Sequence, residues 1–121
     1  MMRDFQKSTV WIKAHQLTLA IYQVTQTFPP EAMLALTHQI YRVSTSIPAI
    51  IAEGHSREEK EDFGCFLQLA IGSSNELQYY LLLARDLTYL KTKDYDCFSR
   101  AIEDLQQSLN VKIQKLEAKT Q

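Results

Sequence analysis

Four runs of apolar residues, each repeating at three- and four-residue steps, set the pattern of this chain. That spacing places apolar side chains on one face of an α-helix. The first run, Val10, Ala14, Leu17, Ile21, Val24 and Phe28, predicts helix 1 over residues 9–28, capped by Ser8 or Thr9. Pro29-Pro30 ends it, because neither proline has an N–H to donate and Pro30 drives its predecessor out of helical geometry. Trp11, Leu19 and Tyr22 lie off the stripe and give this helix a second apolar side. The second run, Met33, Leu36, Ile40, Val43, Ile47 and Ile50, predicts helix 2 over residues 31–54, with Glu31 suited to its N-terminus. Pro48 falls inside this run and forfeits the bond to the Ser44 carbonyl, which predicts a kink. The hydroxyls of Ser44, Thr45 and Ser46 are at hand to satisfy the freed groups, and Gly54 reads as a left-handed C-terminal cap.

Ser56 followed three residues later by Glu59 has the form of a capping box, so helix 3 is predicted over residues 57–88. Phe63, Leu67, Ala70, Ser74, Leu77, Leu81 and Ala84 form its stripe. Tyr80, Leu83 and Leu87 form a second one, about a right angle away on the 3.6-residue wheel. Around Tyr79 to Leu83 the helix is apolar on nearly every side, so Tyr80, Leu83 and Leu87 are the predicted contact with another copy of the chain. Helix 4, residues 93–118, begins after a cap at Thr92 and carries Tyr95, Phe98, Ile102, Leu105, Leu109, Ile113 and Leu116, close to a heptad. No alternating stretch predicts a strand. The fold class is therefore all-α, an antiparallel up-down-up-down four-helix bundle filling one domain over residues 1–121, with a Pro48 kink in helix 2. If helices 2 and 3 reverse near His55, Gly72 faces Gln39, Leu69 faces Arg42, and Glu76 lies a turn from Gln39. Gly72 and Ser73 would then form a notch where two backbones approach.

Charge alters this picture little. Lys and Arg number 13 against 14 Asp and Glu, a net charge of −1, without the basic surplus of a nucleic-acid coat. Lys112, Lys115 and Lys119 do share one face of helix 4, as a solvated flank or as a phosphate contact. Cys65 and Cys97 form no CxxC pair and are expected to be buried free thiols. The N-terminus lacks the pattern of a signal peptide, and no run approaches the roughly 20 apolar residues of a membrane span. A cytoplasmic protein with no membrane partner is the expectation. His15, His38 and His55 lack the Glu-x-x-His spacing of di-metal bundles. No nucleophile elbow or phosphate loop occurs, so no metal, cofactor or catalytic residue is expected. Gln39, Arg42, Glu53 and Glu76 form a candidate polar network, read first as structural and second as a ligand or partner site.

Particular blocks carry a resemblance. Gln39 and Arg42, Ser46-Ile47-Pro48, Ile51-Ala52-Glu53-Gly54, Phe66-Leu67, Ala70, Gly72-Ser73 and Glu76-Leu77 stand in sequence, with Trp11 early and Phe28-Pro29 between helices. In these the chain resembles the four-helix bundle proteins of the 23S rRNA intervening-sequence, or S23, family, over nearly its whole length. Tyr41 and Ile50 depart from the Arg and Asn usual there. The resemblance implies a bundle that assembles into a ring, typically a homopentamer, without an established activity. A related branch, the accessory variability proteins of retroelements, implies nucleic-acid and reverse-transcriptase binding through a strongly basic surface, which this chain lacks overall. The leading expectation is a non-enzymatic oligomeric scaffold or adaptor. The alternative is a nucleic-acid-binding accessory that partners a reverse transcriptase or ribosomal RNA.

Overall fold

A computed structural model describes residues 3–119, the last by its backbone alone. Four long helices, α1 (Thr9–Thr25), α2 (His38–His55), α3 (Lys60–Asp86) and α4 (Thr92–Lys119), run up, down, up and down. Their facing stripes make one core, in which Ile21, Ile40, Ile47, Leu67, Leu77, Ile102 and Leu109 are wholly enclosed. The apolar periods of the sequence are thus the periods of burial, with Met33 as the exception: its side chain is exposed.

Several ends differ from the sequence reading. Helix 1 stops at Thr25, and a turn held by Phe28 N–H donating to Thr25 O leads to the prolines. The chain then passes through a 3-10 turn, Pro30–Ala32, and a π-helical stretch, Met33–Thr37, before α2 begins at His38. The Met33 and Leu34 side chains are pushed into solvent by this wider coil, Leu34 to 88% exposure.

Gly54 is no left-handed cap. It lies within α2, buried, and no glycine among the described residues has positive φ. A Cβ there would sit 3.0 Å from Phe63 Cδ1 and 3.0 Å from Phe66 Cβ. Gly54 is therefore the glycine at a close approach of α2 and α3, the part the sequence assigned to Gly72 and Ser73. Gly72 is exposed with nothing within 4 Å of such an atom, and Ser73 is half-buried. The predicted capping box is also absent. Ser56 Oγ donates back to Glu53 O, and α3 starts only at Lys60, without a side-chain cap. The left-handed residue is Thr88, at φ 69°, where α3 ends and the Tyr89 and Leu90 N–H groups both donate to Ala84 O.

Pro48 is buried inside α2, and helical structure continues through it. The three hydroxyls beside it do not reach the Ser44 carbonyl. They donate to Tyr41 O, Arg42 O and Val43 O. The carbonyl freed by Pro48 is met from the neighbouring helix, by Thr18 Oγ1 of α1 at 2.8 Å. Seven residues on, Thr25 Oγ1 donates to the Tyr41 hydroxyl at 2.9 Å, and Tyr41 stacks on Tyr22 with centroids 4.3 Å apart. Tyr41, one of the two departures from the S23 pattern, thus works as an α1–α2 clamp.

Candidate functional site

The candidate polar residues separate into two places. Gln39 and Arg42 lie one turn apart on α2, and Arg42 Nε donates to Gln39 Oε1 at 3.0 Å. Arg42 reaches across to Glu76 of α3 at 3.3 Å, and the Tyr80 hydroxyl donates to the same carboxylate at 3.2 Å. The sequence reading set Leu69 opposite Arg42; the structure instead brings Glu76 there, about two turns further along α3, because α3 begins only at Lys60. Glu53 stands more than two turns further along α2 and pairs with Arg57 at the end of the bundle. The Glu76 side chain is 45% exposed, so its ion pair is a surface one and contributes at most about 1 kcal/mol. The network ties α2 to α3 at the surface; nothing in it is enclosed enough to grip a small molecule.

Other polar ties hold the remaining seams. Gln106 Nε2 of α4 donates to Ser74 Oγ at 2.8 Å and to Asn75 Oδ1 at 2.7 Å. Gln78 Nε2 donates to Ser99 Oγ at 2.6 Å. Between α1 and α4, Lys13 Nζ binds Asp104 at 2.9 Å and Ser108 Oγ at 2.7 Å. Ser74, on the core stripe of α3, is fully buried, its hydroxyl donating to Ile71 O.

Of the proposed contact residues, Tyr80 and Leu83 are half-buried against the bundle's own core, while Leu87 is 46% exposed. The more open apolar side chains of α3 are Leu69 at 58% and Tyr79 at 57%. Leu69 and Leu87 are 18 residues apart, about five whole turns, so they lie on one line about 27 Å long. Tyr79 lies about 80° round the helix from that line. Gly72 falls between the two, so this outward side carries no bulk there.

The basic face of α4 is joined by a residue that sequence reading passed over. Lys112 and Lys115 line a groove of about 680 Å³ together with Lys7, Ser8, Thr9 and Ser108. Lys7 was legible only as part of a polar leader; the groove lies between the end of that leader, the start of α1 and α4. The Lys119 side chain lies outside the described residues. Lys112 also sits over the Phe63 ring, 5.9 Å from its centroid. Asp104 at the groove's edge is already paired with Lys13.

Neither cysteine is buried, contrary to the sequence expectation: Cys65 and Cys97 are both exposed. Cys65 precedes the buried Leu67 by two residues, which puts it about 160° away on the wheel and explains the outcome. Among the described residues no three His, Cys, Asp or Glu side chains gather as a metal site, and no helix is long and apolar enough to cross a membrane.

The bundle has a solved counterpart. The crystal structure of a protein of unknown function from the S23 ribosomal protein family of Bacteroides thetaiotaomicron VPI-5482 superposes with a TM-score of 0.80. The match covers 87% of this chain and 95% of that one at 24% identity, a likeness of fold. No curated protein matches the sequence. The family profile of the 23S rRNA-intervening sequence proteins matches residues 6–111, which takes in all of α1, α2 and α3 and most of α4. This chain belongs to the 23S rRNA-intervening sequence protein family.

Proposed function

We propose that this protein is a non-enzymatic scaffold that assembles with copies of itself, five in the ring that its family resemblance implies. The observation that carries the reading is the outward side of α3. Leu69, Tyr79 and Leu87 each leave about half their surface in water in the single chain. Burying an exposed leucine or tyrosine face releases roughly 25 cal/mol per Å² of apolar area, so a second copy laid on this line has a driving force. The polar network crosses this line, since Glu76 lies about 20° from it, and ties α2 to α3 there. Light scattering after gel filtration tests this. A ring of five 14.0 kDa chains gives about 70 kDa. Replacing Leu69 and Tyr79 by Lys together should shift the mass toward 14.0 kDa while leaving the helical signal intact, since neither side chain is in the core. A wild-type monomer would end the proposal.

The second reading, a nucleic-acid accessory, is favoured by one feature, the groove with Lys7, Lys112 and Lys115. Three lysines converging from two elements suit a phosphodiester chain better than three along one helix. Against it stands the net charge of −1. It requires binding that weakens steeply with salt, and a gel-shift series at low salt showing no retardation removes it.

A further inference from the structure

The α1–α4 seam is the least closely packed of the four in the bundle. Two grooves lie along it, on either side of the bridge from Lys13 to Asp104. The first is the basic groove, where Lys7, Lys112 and Lys115 stand around the exposed side chain of Val111. The second, about 350 Å³, is walled by Leu17 and Ala20 of α1 and by Phe98 and Ala101 of α4. Ala20 and Ala101 are too small to fill the gap between their helices. α3 packs mainly on α2 and α4, diagonally across the bundle from α1.

The outward side of α3 carries complementary groups in the same order. Glu61 and Asp62 are exposed in its first turn, and the exposed Leu69 and Tyr79 follow. Glu61 stands 18 residues before Tyr79, on one line with it, and Asp62 lies about 20° from the line of Leu69. Gln78 meets Ser99 and Gln106 meets Asn75, so level residues of this antiparallel pair have numbers adding to about 177–181. Tyr79 is then level with the apolar groove at Phe98 and Ala101, Leu69 with Val111, and Asp62 with Lys115. Asp62 to Tyr79 and Lys115 to Phe98 are each 17 residues, about 26 Å of helix. We propose that the outward side of α3 in one copy docks into the α1–α4 seam of the next, with all bundles pointing the same way. Tyr79 enters the apolar groove, Leu69 rests on Val111, and Glu61 and Asp62 meet Lys7, Lys112 and Lys115. Turning one copy end over end would set the carboxylates against Phe98 and leave the lysines facing Tyr79, so charge selects the parallel arrangement. The contact joins two different surfaces and so passes from copy to copy instead of ending at a pair. The net charge of −1 thus conceals an acidic side and a basic one. A neighbour seated here covers the three lysines, so assembly and nucleic-acid binding at this groove exclude each other. This docking rests on the assembly reading and names the surface that receives the α3 line.

Two measurements on the full chain test it. Ala20→Lys with Ala101→Lys fills the apolar groove with charge and leaves α3 untouched; both alanines are exposed, so the helical signal should be unchanged. Light scattering after gel filtration should show this variant near 14.0 kDa. The second measurement uses Cys97, an exposed thiol on the wall of the apolar groove. Cys97 lies about 160° round α4 from Ser99, which faces α3, so it points away from its own Tyr79. In a Cys65→Ser background, Tyr79→Cys gives each chain one thiol on either docking surface. Oxidation with diamide should then give a ladder of covalent products beyond the dimer on a non-reducing gel, and Cys97→Ser should remove every product beyond the dimer. A seam variant that keeps the wild-type mass overturns the docking and leaves the assembly reading standing, as does a ladder that stops at the dimer with Cys97 present. A monomeric wild type overturns both. If the seam variant fails to fold, the cross-link decides.

Discussion

Replacing Thr18 by Val removes one hydroxyl and little else. Thr18 is 8% exposed and Ser44 fully buried, so the Ser44 carbonyl that loses this donor meets no water. Pro48 has no N–H to take its place. The Ala14 carbonyl, second acceptor of the same hydroxyl at 3.0 Å, loses less, because the Thr18 backbone N–H still lies one helical turn on. Leaving one buried acceptor bare costs about 1–3 kcal/mol. With about 2.1 cal/mol/K of unfolding entropy per residue, this chain has roughly 0.25 kcal/mol/K, so Tm should fall by about 4–12 °C. A double-mutant cycle isolates the cause. Pro48→Ala restores an N–H four residues after Ser44, and in that background Thr18→Val should cost about 1 kcal/mol less. Urea unfolding of the four proteins measures the coupling. Equal cost in both backgrounds, or an unchanged midpoint for Thr18→Val, would refute the assignment of Thr18 as the partner of the proline-freed carbonyl.

Two glycines should respond with opposite sign. Gly54→Ala should destabilise by about 1–2 kcal/mol despite the better helix propensity of Ala, because Phe66 Cβ can retreat only with the α3 backbone; Gly72→Ala should stabilise by up to about 1 kcal/mol. Thermal melts of the pair would contradict the packing account if the signs matched. Thr88→Gly should raise stability by about 1 kcal/mol, since a β-branched residue at φ 69° bears a strain that glycine does not; a lower urea midpoint would count against this. The His55 contribution has a definite sign. Burial first and the Lys112 charge second lower its folded value, so its stabilisation is complete above 6.5 and declines as pH falls through the folded value. Urea midpoints at pH 7.5 and 5.0 should therefore differ less in His55→Gln than in the wild type.

The helices were readable because burial follows the 3.6-residue period, which Met33 breaks only where the π-helical stretch intervenes. The register of α2 on α3 was less legible: a reversal near His55 sets Leu69 opposite Arg42, whereas the turn runs on to Glu59 and brings Glu76 there. What the chain hid depends on contacts between elements. Which glycine lies at the α2–α3 crossing is set by where the axes converge, and the sequence offers Gly54 and Gly72 equally. Thr18 and Thr25 follow Ala14 and Ile21 by four residues each, so their place on the core side was there to be read; that one of them meets a proline-freed carbonyl was not. Lys7 could be joined to Lys112 only by knowing that the end of the leader lies beside α4.

The π-helical stretch at Met33–Thr37 has a consequence for how this protein tolerates a change of length. A wider coil holds about one residue more than an α-helical turn needs, and here the surplus falls at Leu34 and Ala35, both facing solvent. Dropping one of them lets the stretch tighten while Pro30 before it and Ile40 beyond it keep their bearings. The same deletion inside α2 would swing every later side chain by about 100°, turning Ile47 and Ile51 away from their neighbours. The stretch is thus a slack link in an otherwise tightly indexed chain, the one part of this limb where a codon can be lost without scrambling the interior.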